Sequence, residues 1–534
     1  MRKQNISLKD TGRFSQLICD YLSKNKNLQH FYGNYPNLEN SQNQIELKKD
    51  SYSKRSRQIL VNSLNTQYAK KSLKKEVSKN LKLLANENTF TVTTGHQLCL
   101  MTGPLYFIYK IISTINLCKQ LKIKNPESDF IPVYWMASED HDFEEINSFL
   151  FQDKTIQWKT ESEGAVGNLP LTDLQKELDL FEAYLENHSD NNFIKELLEK
   201  SYRKAKNLSE ATFDLVNQLF GDYGLIVIEP NKKVLKNLFA PIVKDELKNN
   251  TSFNKVTEQI DLIKKKYNKK YSPQVNPREI NLFYLTSQGR FRIEKNDKGF
   301  SLNGGELDFT RDAFFKILEE HPERFSPNVI LRPLFQELIL PNLFFVGGAS
   351  EISYWFQLKK NFDYYNLPFP SLLLRNSALI YSEKLKSKID KLDLSMSDLF
   401  LKRNALINKK IRQISSIDLD LKFLKTKLND QFNYLQTLAN KTDKSFEGAV
   451  NAQLKKQMKG LDHLEKRLLK AQKRKLSDHV YRISLLHEQL FPNDQLQERI
   501  SNFFTFYLEI GDKMIPSLIN CLDPLNADFT LIEY

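Results

Sequence analysis

Four consecutive residues, Glu139-Asp140-His141-Asp142, form the densest polar cluster in the chain. Two kinds of chemistry suit them. A carboxylate or imidazole can move protons, and grouped oxygens can hold an amine, a sugar hydroxyl or Mg²⁺. The same residues could instead cap a helix over 143–149 with negative charge. A second group, Gly95-His96-Gln97, could contact phosphate or polarise a carbonyl, or simply turn the chain. Lys110 could reach a phosphate or remain solvated. Arg332 and Gln336 could hold a carboxylate, because a guanidinium offers two parallel donors; a salt bridge is the alternative. Gly347-Gly348 ahead of Glu351 would let backbone N–H groups approach an anion. Cys99 with His96 and His141 has spacing too irregular for a zinc site and reads as a small core residue.

These groups need elements to position them. Residues 89–94 (TFTVTT) are β-branched and predict a strand, with the polar loop 94–97 after it. Pro104 suits the first turn of a helix over 105–121, whose Leu105, Ile108, Ile112 and Ile115 share a face. A second strand over 130–136 runs into Ser138 and the acidic cluster. Short apolar strands follow at 224–229, 342–346 and 370–374. Ligands in parallel α/β sheets bind outside the carboxyl ends of the strands, where both polar loops fall. The fold class expected is α/β, a Rossmann-like parallel-sheet core. Residues 150–220 predict a helical insertion, and 280–303 a hairpin insertion.

Several classes are excluded by what is missing. There is no G-x-x-x-x-G-K-[ST], no G-x-G-x-x-G and no H-E-x-x-H, and no Cys/His group has zinc-finger spacing. No apolar run approaches the ~18–20 residues of a membrane helix. The N-terminus lacks the apolar core of a cleaved signal, and four scattered cysteines form no disulfide framework. A cytoplasmic protein is expected. At 534 residues the chain has room for about three or four domain-sized pieces.

The formal net charge of +13 invites a polyanion partner. Its location argues otherwise. Residues 381–480 hold 23 Lys and Arg against 12 Asp and Glu, so the arm carries +11. That segment has a heptad seam: Phe400, Ile407, Ile414, Leu421, Leu428 and Leu435, with Ile417, Leu424 and Leu438 as companions. A second run places Leu454, Leu461 and Leu468 beside Val450, Leu464 and Ala471. With a turn at 441–448, this predicts an antiparallel coiled-coil hairpin whose lysines lie on solvated outer faces. Nucleic acid is disfavoured, because the basic run 473–475 has no interleaved aromatic platform.

The motif Thr94-Gly-His-Gln-Leu-Cys-Leu-Met-Thr102-Gly103-Pro104-Leu-Tyr106 resembles the bacillithiol biosynthesis cysteine-adding family, BshC. So do Pro132-Val-Tyr-Trp135-Met-Ala-Ser-Glu139-Asp140-His141-Asp142-Phe143 and Ser326-Pro-Asn-Val-Ile-Leu-Arg332-Pro333-Leu-Phe-Gln336. Gly347-Gly348-Ala-Ser-Glu351-Ile-Ser-Tyr354-Trp355 and Phe491-Pro-Asn-Asp-Gln-Leu496-Gln497-Glu498-Arg499 match as well. The resemblance spans essentially the whole chain.

It implies a ligase that joins the carboxyl of cysteine to the amine of glucosaminyl-malate through an amide bond, the last step of bacillithiol biosynthesis. ATP with Mg²⁺ is the expected activator, although neither H-x-G-H nor K-M-S-K-S occurs and adenylate chemistry rests on fold analogy. The expected catalytic residues are Asp140, His141 and Asp142. The expected substrate- and nucleotide-binding residues are Gly95, His96, Gln97, Thr102, Gly103, Lys110, Glu139, Arg332, Gln336, Gly347, Gly348, Glu351 and Tyr354. No metal ligand of the protein is assigned. The resemblance also implies connecting-peptide insertions and a coiled-coil arm that makes a homodimer, with no membrane partner. The expected organisation is 1–150 for the first part of the core and 151–330 for the insertions, strand 224–229 included. The second part of the core is 331–385, the arm 386–480, and the segment 481–534 returns to the core. The rival readings are a non-catalytic coiled-coil scaffold that binds a metabolite, and an aminoacyl-tRNA-dependent cysteine transferase.

Overall fold

Five of the six residues 89–94 are β-branched, and they open the central strand of a parallel sheet. The computed structural model describes residues 1–161, 163–186, 191–302 and 307–534. Parts of the expected insertions, residues 162, 187–190 and 303, lie outside the described residues. The sheet has five strands: β1 (Thr89–His96), β2 (Asp129–Met136), β3 (Ile226–Ile228), β4 (Asn342–Gly347) and β5 (Ser371–Leu374). Their order is β5-β4-β1-β2-β3, and every pairing is parallel. Parallel strands need crossovers on the sheet faces, and α1 (Tyr106–Lys124) supplies the one between β1 and β2. Phe90, Val92, Phe130, Phe344 and Val346 pack with Leu117 and Leu121 of α1 as one core cluster. The four threonines of β1 are buried, and three of them have hydroxyl partners. Thr91 and Thr93 hydroxyls donate to Asn342 Oδ1 at 3.2 and 2.7 Å, and Thr94 donates to Val346 O.

Several boundaries differ from expectation. β1 continues through Gly95 and His96, which pair with Trp135 and Met136, so the expected loop is shorter. Gly347 likewise ends β4 rather than opening a loop. β3 is an edge strand of the central sheet, not part of an insertion. Residues 143–147 turn on themselves and lead into a strand, Ser148–Phe151, so no helix forms for the acidic cluster to cap. The helical insertion opens with that strand and Lys154–Gln157 as a hairpin, then continues as helices Gln175–Leu185, Asn192–Leu198 and Leu208–Phe220. The hairpin expected near 280–303 is the middle of a larger antiparallel sheet. Its strands are Leu282–Leu285, Arg290–Asn296, Gly299–Leu302, Leu307–Thr310 and Phe325–Pro327.

The chain divides into two units. The first comprises residues 1–9, 14–379 and 497–532; the second comprises 10–13, 380–496 and 533–534. Residues 481–496 thus lie with the arm and not with the core. In the second unit, helices Lys422–Ala439 and Lys444–Lys475 run antiparallel. Phe432, Ala439 and Val450 are buried between them, with Leu428, Leu435 and Leu454 alongside. The joint is only 440–443, because Asp443 accepts from the Ser445 and Phe446 amides and starts the second helix early. The seam is also broken. The helix Arg403–Ile414 ends, and the Asp418 and Asp420 carboxylates turn 418–422 by accepting from nearby amides. Among the described residues no helix is long and apolar enough to cross a membrane.

Candidate active site at the strand ends

A cavity of about 950 Å³ opens at the carboxyl ends of all five parallel strands. Each strand delivers side chains to it. β1 contributes Gly95, His96 and Gln97. Glu139 and Asp140 follow β2, Pro230 follows β3, Gly348, Glu351 and Tyr354 follow β4, and Arg375 follows β5. Helix α1 adds Tyr106 and Lys110. The antiparallel sheet adds Phe283 and Arg290, and the C-terminal segment adds Arg499.

Six cationic side chains and four carboxylates line the cavity. Most are already paired. Lys110 is buried, donates to Gly95 O at 2.9 Å and forms an ion pair with Glu351; burial still pulls its pKa below the usual lysine range. Arg375 is held by Glu498 at 2.8 Å, both nearly sealed from solvent at 5% and 1% exposure. Glu139 pairs with the buried Lys236, which also donates to Phe325 O. Arg278 and Arg499 form no ion pair among the described residues, and neither does Arg332. Arg332 opens the helix α2 (Arg332–Ile339). Its Nη1 donates to Gln336 Oε1 at 2.9 Å, and its guanidinium lies near the rings of Trp135 and Phe345. Gln336 is itself fixed: its amide donates to Glu337, which is buried against Lys48. A guanidinium that is rigidly held yet lacks a counter-ion is suited to an anionic ligand.

Across the strand ends, Gln97 Nε2 donates to two carboxylates, Asp140 at 3.0 Å and Glu145 at 2.7 Å. Asp140 also accepts from the His141 amide at 2.8 Å and from Arg290 at 3.3 Å. Burial opposes its ionisation, but hydrogen bonds from Gln97 and the His141 amide and the charge of Arg290 hold its carboxyl well below the usual range. His96 accepts the Gln97 amide at Nδ1, at 2.9 Å, which puts its proton on Nε2. Burial, with the charges of Lys110 and Arg375, lowers its pKa and keeps it neutral.

Of the expected residues, Gly95, His96, Gln97, Lys110, Glu139, Asp140, Arg332, Gly348, Glu351 and Tyr354 converge on the cavity. Others do not. Asp142 is exposed and does not line it. His141 sits at the edge, half exposed, its ring 5.5 Å from that of Phe283. Gln336 is buried beneath Arg332. Gly347 stays in the sheet, and the Gly348 amide is taken by Glu351 Oε2 at 2.8 Å, so this glycine pair has no free anion cradle there. Thr102 and Gly103 belong to a left-handed turn, φ 68° and 60°, clamped by the Asn502 amide on Met101 O and Gly103 O. A Cβ at Gly103 would lie 2.6 Å from Cys99 Cβ, so only glycine fits. Burial pushes the Cys99 thiol up to about 12, which suits a core residue.

Sequence reading missed Arg290, Glu145 and Arg375 as site residues. Arg375 follows a predicted strand, which is a usable signal. Arg290 sits in an insertion and Glu145 in the turns after β2, and no local pattern reveals the packing of either. Among the described residues no group of three or more His, Cys, Asp or Glu side chains could hold a metal ion.

Sheet, pocket and helical hairpin together define a Rossmann-like protein with a charged cavity at its strand ends and a coiled-coil arm. Residues 1–376 match the family described as bacillithiol biosynthesis BshC, N-terminal Rossmann-like domain, and residues 378–534 match its C-terminal coiled-coil domain. The chain belongs to the BshC family of bacillithiol biosynthesis. Relatives provisionally named cysteine ligase BshC are similar over nearly the full length. That of Flavobacterium johnsoniae is 49% identical over 527 residues, 99% of both chains. That of Christiangramia forsetii is 48% identical, covering 99% of this chain and 98% of the relative. That of Flavobacterium psychrophilum is 47% identical over 99% of both.

Proposed function

We propose that this protein is an amide-forming ligase that couples the carboxyl of cysteine to the amine of glucosaminyl-malate, the last step of bacillithiol biosynthesis. The observation that carries the reading is Arg332, held by Gln336 and without a carboxylate partner among the described residues, in a cavity shared with an ionised Asp140. Arg332 takes a malate carboxylate. Asp140, with His141 at the rim, takes the amine end of the acceptor. The two ends of a ligand that is anionic at one side and cationic at the other are thereby distinguished.

A carboxylate does not condense with an amine in water unactivated, and ATP, through an adenylate or an acyl phosphate, supplies the leaving group. Arg499, which forms no ion pair among the described residues, is a cation available to phosphate oxygens, and Glu145 is a carboxylate available to Mg²⁺. Mg²⁺ is commonly held by one or two carboxylates plus phosphates, which fits a site without a preassembled metal cluster. The four cysteines are free thiols, which fits the reducing cytoplasm where this reaction would run.

The arm is proposed to make a homodimer. Leu424 and Leu438 lie on the helix Lys422–Ala439 and are 46% and 39% exposed, apolar surface left over once the hairpin has closed. A strain lacking the gene tests the function. It should lose bacillithiol and accumulate glucosaminyl-malate, whereas loss of a mere scaffold would leave bacillithiol in place.

A further inference from the structure

Arg290 enters the site from the antiparallel sheet, 150 residues beyond the acidic cluster. Its side chain is 8% exposed and anchored on three sides. Nε donates to Ser326 Oγ at 3.2 Å, Nη2 donates to Pro327 O at 2.9 Å, and the guanidinium lies 4.2 Å from the Phe283 ring centre. The remaining nitrogen, Nη1, faces two acceptors at once. It is 3.3 Å from Asp140 Oδ1 and 3.3 Å from His141 Nδ1.

A guanidinium has donors only. Where it meets an imidazole nitrogen, that nitrogen must present its lone pair, and the ring proton goes to the other one. His141 Nδ1 also lies 3.5 Å from Asp140 Oδ1, so a competing arrangement exists in which Nδ1–H donates to the carboxylate. Arg290 decides between them.

We propose that Arg290 is a positioning residue that orients the Asp140 carboxylate and fixes His141 as its Nε2–H tautomer. The inference rests on the reading that Asp140 and His141 face the acceptor substrate. With Nδ1 engaged, neutral His141 offers Nε2–H to a ligand oxygen and has no lone pair left for the proton of an attacking amine. The other groups around the pair are Gln97 and, through it, Glu145; Glu139 next in sequence is occupied by Lys236. None of them donates to Nδ1, so the tautomer depends on Arg290 alone among the described residues.

The test is ¹⁵N NMR of histidine-labelled full-length protein near pH 8, where the unperturbed imidazole is neutral. His141→Asn assigns the signal. The wild type should show an unprotonated Nδ1 and a protonated Nε2. Arg290→Met should move population to Nδ1–H, and Arg290→Lys, which restores a cationic donor, should move it back. If Arg290→Met does not fold by circular dichroism, Arg290→Gln is read in its place. An unchanged His141 pattern in a folded uncharged variant overturns the proposal. A changed pattern with undiminished bacillithiol formation would leave the tautomer assignment standing and contradict instead the placement of this pair at the substrate.

Discussion

Arg332 and Gln336 lie one helical turn apart, and the carboxamide oxygen of Gln336 accepts from Arg332 Nη1 at 2.9 Å. The contact turns a flexible cation into a fixed one, because Gln336 is itself held by the buried Glu337. Replacing Arg332 by Met should raise KM for glucosaminyl-malate about 10- to 100-fold, the range of a lost charge-assisted carboxylate contact. Gln336→Leu touches no ligand and should raise KM in the same direction by less. Steady-state kinetics at varied acceptor concentration read both.

Glu498 is buried with Arg375 and accepts from the Ser377 hydroxyl and the Ala378 amide as well. Glu498→Ala would leave a buried guanidinium uncompensated and should cost about 3–5 kcal/mol of stability. Urea unfolding followed by tryptophan fluorescence measures it. Glu498→Gln keeps the hydrogen-bond geometry and should cost less.

His96 gives a pH dependence whose sign follows from its lowered pKa. The unfolded chain binds a proton at this residue below about pH 6.5, whereas the folded chain does not. Acidification therefore favours unfolding. Between pH 6.5 and 5.5 the loss from this one residue should be about 1 kcal/mol. The difference in urea stability between wild type and His96→Gln, measured at both pH values, should show that much less acid loss in the variant.

The exposed apolar surface of the arm predicts the assembly. Leu424→Glu combined with Leu438→Glu places charge on an exposed surface of the hairpin. Helix content by circular dichroism should hold, while the mass by light scattering falls from a dimer to a monomer. A wild-type protein that is already monomeric at micromolar concentration would remove the dimer from the account.

What could be read from the chain alone follows the range of the forces involved. The central strands were legible because runs such as 89–94 and 343–346 are apolar or β-branched at every position, as a doubly covered sheet requires. The helical hairpin was legible from its period. Its ends were not, because Asp418, Asp420 and Asp443 act through single side-chain hydrogen bonds that leave no periodic trace. In the site, Gly95–Gln97 and Glu139–Asp140 could be found because a strand end brings them to one place. Asp142 belonged to the same run, yet the turn after Asp140 carries it outward. Arg290 could not be found, since its position depends on the register of strand Arg290–Asn296 against Leu282–Leu285. Thr102 and Gly103 were expected among the ligand contacts; the left-handed turn and the Asn502 clamp give them another task.

The central claim is the amide-forming reaction at the strand-end cavity, and reconstitution tests it most directly. Purified protein, cysteine, glucosaminyl-malate, Mg²⁺ and ATP are incubated and the products identified by mass spectrometry. The account predicts bacillithiol together with AMP or ADP, and its loss in Arg332→Met at acceptor concentrations that saturate the wild type only. No bacillithiol from the complete wild-type mixture, or wild-type rates in Arg332→Met under those conditions, would contradict it.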